Sequence, residues 1–129
     1  MEPSLRTLPP IEEVEKNILL AVIFTIITLG IYYLFWQNHQ MKAWNRLLGR
    51  EKFNFWKWFV LSIFTFGLYH VYHEYVMGQD MIEIQKLYNK PVSPNLPLVS
   101  VLLAIFGVPF IADAIQQYEL HKLYGRDGL

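Results

Sequence analysis

The sequence predicts an all-α integral membrane protein: three hydrophobic helices, one per sequence repeat, each with an amphipathic interfacial extension. Three observations predict it. Hydrophobic residues make up 53% of the 129-residue chain and charged residues only 17%. Three apolar runs, 17–36, 54–76 and 95–115, alternate with polar stretches. Each run carries a glycine at a related position, in Thr28-Leu29-Gly30-Ile31-Tyr32, Thr65-Phe66-Gly67-Leu68-Tyr69 and Ile105-Phe106-Gly107-Val108-Pro109.

The repeat is regular. Asn17 precedes Gly30 by thirteen residues, Asn54 precedes Gly67 by thirteen, and Asn95 precedes Gly107 by twelve. The polar tails end alike, at Leu48-Gly49-Arg50, Tyr88-Asn89-Lys90 and Tyr124-Gly125-Arg126. A period of roughly 37–40 residues follows, with units of about 17–50, 54–90 and 95–126 in one membrane domain. The motif residues are Gly30, Tyr32, Trp36, Gly67, Tyr69 and Gly107. Pro109 stands where the other copies have tyrosine.

In chain order, the first sixteen residues do not form a secretory signal. Glu2, Glu12, Glu13 and Glu15 outnumber Arg6 and Lys16, so the basic n-region is missing. Pro9-Pro10 followed by Ile11-Glu12-Glu13 reads as a helix start, the alternative being a solvated acidic leader. Residues 17–36 carry no charge, and twenty residues at ~1.5 Å each match the ~30 Å hydrocarbon core. In 37–52, Lys42, Arg46 and Arg50 share one helical face and Met41, Trp44, Leu47 and Leu48 the other. That suits an interfacial helix with its basic face toward anionic lipid headgroups, or a charged loop anchoring two membrane helices. Asn54 is a plausible N-cap, followed by the girdle Phe55-Trp56-Lys57-Trp58. Pro91-Val92-Ser93-Pro94-Asn95 is the clearest linker. Pro97 falls in the first turn of the third helix, and Pro109 is expected to kink it.

Several function classes are excluded or disfavoured. The formal net charge is zero, which argues against nucleic acid as the main partner. The absence of cysteine excludes disulfides and thiolate chemistry. Ser4, Ser62, Ser93 and Ser100 lack nucleophile-elbow glycines, and no phosphate loop or dinucleotide fingerprint occurs.

The segment Ile26-Ile27-Thr28-Leu29-Gly30-Ile31-Tyr32 with Trp36 resembles the signature of a bacterial membrane family known only as domain of unknown function 4234. The likeness is good over roughly residues 17–48, weaker over the second copy, and broken at Pro109 in the third. It implies a small bacterial multi-pass protein and carries no activity or catalytic residue.

Two topologies are open. In the first, each run spans the membrane. Lys42, Arg46, Arg50, Lys52 and Lys57 then make loop 37–57 cytoplasmic, with the N-terminus outside and the C-terminus inside the inner membrane. In the second, each glycine marks the tip of a re-entrant hairpin. Direct repeats suit hairpins, but run length and the cost of an exposed tip backbone favour spanning helices.

Chemistry is sparse. His70, His73 and Glu74 share a helical face and offer ligands to a transition metal, although such residues one turn past an apolar run are commonly interfacial. Asp113 is an acid within a membrane run, a site by default, yet its place near the run's end suits interfacial anchoring. In the spanning topology Asp113 and His73 lie on opposite sides; hairpins would let them meet. Three readings follow: a non-catalytic scaffold, accessory or membrane-organising subunit, homo-oligomeric or part of a larger complex; a channel or transporter component using Asp113 or Glu74; and a metal-binding membrane enzyme at His70, His73 and Glu74.

Overall fold

A computed structural model of the chain describes residues 7–126. Glu2, Ser4 and Arg6 of the leader lie outside the described residues. Each apolar run forms two helices rather than one. In chain order these are α1 (Ile18–Ile27), α2 (Ile31–Leu48), α3 (Phe55–Phe64), α4 (Leu68–Leu87), α5 (Leu96–Ile105) and α6 (Pro109–Lys122). The expected helix at Ile11 is a single 3-10 turn, Ile11–Glu13, entered through Pro10.

The helices break because the backbone turns left-handed at the tips. Leu29 and Gly30 have φ of 53° and 95°, and Phe66 and Gly67 have 54° and 91°. The turns close on themselves. The Gly30 N–H donates to the Thr25 carbonyl at 2.8 Å, and the Leu29 N–H to Ile26 at 3.1 Å, satisfying carbonyls that a helix end leaves open. The Thr28 hydroxyl donates to the Phe24 carbonyl at 2.7 Å and accepts the Tyr32 N–H at 2.9 Å. One side chain thus stitches the incoming helix to the outgoing one. Thr65 repeats this between Leu61 and Tyr69.

The third tip is shifted by one residue. Gly107, with φ of 84°, takes the place of Leu29 and Phe66. Val108 takes that of Gly30, its N–H donating five residues back to Leu103 at 2.9 Å. The spacing from Asn95 to Val108 is then thirteen, as in the other copies, and α1, α3 and α5 are each ten residues long. Pro109 does not kink a helix. It opens α6 at the first turn, where its missing N–H costs nothing. Phe106 replaces the threonine.

This corrects the expectation of three spanning helices. Among the described residues, no helix is long and apolar enough to cross a membrane. The expected obstacle to hairpins, unsatisfied tip backbone, is met in the first two tips by threonine and the Schellman bonds.

The long helices α2, α4 and α6 run in one direction. Near the tips Tyr33 of α2 meets His70 and Glu74 of α4 and Asp113 of α6. Far from the tips, Tyr88 donates to the Leu47 carbonyl at 2.8 Å, and Gln85 to Glu119 at 3.1 Å. All three tips therefore lie at one end of the bundle. The core sits toward the other, around Trp44, Leu47, Met77, Met81, Ile84 and Leu120, with Val14 of the leader packed in. Asn54 caps α3 through the Lys57 N–H, as expected, and Gly49 stops α2 with φ of 79°. Asn95 precedes α5 without a side-chain cap. Of the basic face on α2, Arg46 pairs with Glu13 at 2.7 Å and Arg50 with Glu83 at 3.1 Å, both exposed. Lys42 is exposed on the same face.

Candidate functional site

About one turn below the tips, the three parallel helices enclose a buried polar cluster. Its centre is the Tyr33 hydroxyl, which the Gly30 turn places on the inner face of α2. It contacts His70 Nε2 at 2.9 Å, Glu74 Oε2 at 3.0 Å and, closer still, Asp113 Oδ2. Glu74 and Asp113 are fully buried. Among the described residues, no Lys or Arg is bonded to either. One hydroxyl proton faces two carboxyl groups, so a second proton is needed to keep both from ionising side by side in the interior.

The protonation pattern follows from that geometry. Burial pushes Glu74 up from its usual 4.5 to about 7, against the stabilising hydrogen bonds from Asp113, Tyr33 and Gln116. Burial and the neighbouring Glu74 push Asp113 well above the usual carboxylate range. Asp113 is therefore biased toward its protonated form, with its Oδ2 facing both the Tyr33 hydroxyl and the Gln37 amide. Burial raises Tyr33 well above its ordinary value, with both acids adding to it.

The supporting shell fixes the orientation. His70 Nδ1 accepts the Trp58 indole N–H at 2.9 Å, so the neutral ring carries its proton on Nε2 and donates toward Tyr33 and Glu74. Burial lowers the pKa of His70, and lowers that of His73 much further. His73 Nε2 lies 3.2 Å from Gln37 Oε1, and the Gln37 amide donates to Asp113 Oδ2 at 2.7 Å. On the other side, Gln116 donates to Glu74 Oε1 at 3.0 Å and to Ser100 at 2.9 Å, and Gln40 donates to Gln116 at 3.1 Å.

Asp113 is thus an interior group rather than a wet interfacial anchor, and it meets His70 and Glu74 within one chain. The sequence allowed Asp113 to approach His73 in the hairpin topology; in the structure Gln37 stands between those two, bonded to both. The metal set expected from sequence, His70, His73 and Glu74, is regrouped. His70, Glu74 and Asp113 each place one ligand atom within 4.8 Å of the others, while His73 belongs to the Gln37 relay. Asp113 Oδ1 has no hydrogen-bond partner among the described residues. The three could hold a small dication only after losing the carboxyl protons and the His70 Nε2 proton, and the Trp58 bond opposes that tautomer. As arranged, the Tyr33 hydroxyl bridges the two carboxyl groups.

Sequence reasoning gave no site role to Tyr33, Gln37 or Gln116, and it placed Trp58 in an interfacial girdle, whereas the structure buries it against His70. One signal was present: Tyr33, Gln37 and Gln40 recur at i, i+4 and i+7 on the face that also carries Trp36 and Trp44. Of the motif residues, Gly30 and Gly67 precede α2 and α4 at the tips, Tyr32 and Tyr69 give their N–H groups to the threonines, and Trp36 is buried beside Tyr33.

Fold and site define a class: a three-hairpin helical protein with apolar tips at one end and a buried polar cluster beneath them. The chain belongs to the family described as domain of unknown function 4234, whose model matches residues 16–54 and 53–122. The second match begins where the first ends, at the boundary between the first two hairpins. No curated protein matches the chain, and no solved structure does.

Proposed function

We propose that this protein sits in one leaflet of a membrane and organises it, with its three tips immersed in lipid and its charged end in water. The observation that carries this is the tip end itself. Leu29, Phe66 and Phe106 are 94%, 97% and 78% exposed, and Ile27, Phe64, Leu68 and Ile105 beside them are also exposed. No Asp, Glu, Lys or Arg occurs in 17–41, 58–73 or 91–112. An apolar surface of this kind marks a contact with lipid or protein. Two features favour lipid. Ten-residue helices reach roughly 15 Å, about half of the ~30 Å hydrocarbon core. The first two tips also satisfy their own N–H groups, as a lipid environment requires. Burying a Leu or Phe side chain is worth ~1.5–3 kcal/mol, so the three foremost residues supply roughly 5–9 kcal/mol.

Membrane organisation without catalysis suits a site in which every acid is tied to neighbours inside the bundle. The test is flotation with phospholipid vesicles. Wild-type protein is expected to float. A variant combining Leu29→Asp, Phe66→Asp and Phe106→Asp is expected to stay at the bottom with unchanged helical circular dichroism. Equal flotation of the two proteins, or a wild type that does not float, would overturn the proposal.

A further inference from the structure

A groove of about 590 Å³ lies between α2, the connector 51–54 and the first turn of α3. That is within the ~300–1,000 Å³ range of small-molecule sites. It is graded along its length. Leu34 and Phe35 line it nearest the tips, and Phe55 and Trp56, which open α3 at the end away from its tip, line it at the level of Lys42. Lys42 lies two turns below Phe35 on α2, about 10 Å further from the tips at ~1.5 Å per residue. There the groove is lined by Asn38, Lys42 and Glu51.

The cations that follow Lys42 on α2 and in the connector are paired: Arg46 with Glu13, Arg50 with Glu83, and Lys52 with Asp80 at 2.7 Å. Lys42 and Glu51 form no ion pair with any described residue, and Asn38 makes no side-chain hydrogen bond with one. Among the described residues, the groove thus offers one free cation, one free carboxylate and one free amide, below the apolar wall of Leu34 and Phe35.

We propose that this groove binds a single glycerophospholipid with an ethanolamine headgroup, its phosphate on Lys42, its ammonium on Glu51 and an acyl chain running past Trp56 and along Leu34 and Phe35 toward the tips. This rests on the one-leaflet reading above. A purely anionic headgroup would match Lys42 but face Glu51. A choline headgroup matches both charges but has no N–H to donate to Glu51, and a charge-assisted hydrogen bond of that kind is worth roughly a factor of ten.

The test is native mass spectrometry of full-length protein extracted from vesicles of equal phosphatidylethanolamine, phosphatidylcholine and phosphatidylglycerol. Wild type should retain one phosphatidylethanolamine at roughly tenfold excess over phosphatidylcholine. Glu51→Lys should switch the retained lipid to phosphatidylglycerol, and Asn38→Trp, which fills the groove, should retain none. All three proteins should still float with vesicles. Retained lipid in the bulk ratio, unchanged by either variant, would overturn the site while leaving the one-leaflet reading intact. Failure of wild type to float would overturn that reading and this site with it.

Discussion

At the scale of single residues, Glu74 and Asp113 set the behaviour of the site. Two acids share the Tyr33 hydroxyl in the interior with no cation bonded to either among the described residues, so the fold prefers their protonated forms. Glu74 shows the sign. An unfolded glutamate releases its proton near its usual 4.5, whereas the folded group holds it to about 7. Between those values the folded state binds more protons, so its stability falls as pH rises through the window and levels off above it. Glu74→Gln removes that contribution. The stability difference between variant and wild type should move in the variant's favour by up to about 3 kcal/mol between pH 4.5 and 8, since a tenfold change in proton affinity is worth ~1.4 kcal/mol. Urea unfolding of both proteins across that range checks it; parallel pH profiles would contradict it. The residues needed for this cluster were only partly legible. His70, Glu74 and Asp113 stand out as polar groups in apolar surroundings. Their grouping depends on which way each chain segment turns at its glycine, and no single residue encodes that.

At the scale of elements, the hairpin is the unit, and its design was half visible. The Asn-to-Gly spacing and the recurring tails exposed the repeat. They left the break as one of two open topologies, because an apolar run of twenty residues has the same composition whether it continues or folds back. What decides it is a left-handed pair at Leu29-Gly30 and Phe66-Gly67, with a threonine hydroxyl taking the next free N–H. A positive φ at leucine or phenylalanine is uncommon, which is why the sequence points to glycine alone. Anchoring the third copy on Gly107 misplaced its tip by one residue; the Schellman bond from Val108 corrects it. Between hairpins, α4 and α5 pack closely at Gly78. A Cβ there would lie 2.7 Å from Pro97 Cα and 2.9 Å from its nitrogen, both backbone atoms. Gly78→Ala should therefore destabilise the protein by about 1–2 kcal/mol, although alanine is the better helix former by ~1 kcal/mol. A lowered thermal midpoint would bear this out. A raised one would mean that α4 and α5 are not held that close.

At the scale of the whole molecule, charge and apolar surface are segregated along one axis. The tips of all three hairpins are at one end, and the ion pairs Arg46–Glu13, Arg50–Glu83, Lys52–Asp80 and Arg126–Glu15 are away from them. Composition alone pointed to a membrane. It could not give the topology, because the positive-inside rule presumes that each run crosses. In the one-leaflet arrangement, the parallel long helices bring the chain back out on the side it entered. The absence of cysteine allows this to be tested by single-cysteine labelling in sealed vesicles with a membrane-impermeant maleimide, at Lys42→Cys, Lys86→Cys and Lys122→Cys. The hairpin arrangement predicts that all three label from the same side. Labelling of Lys86→Cys from the side opposite to Lys42→Cys and Lys122→Cys would mean that the segments cross the membrane, and would contradict the account at its centre.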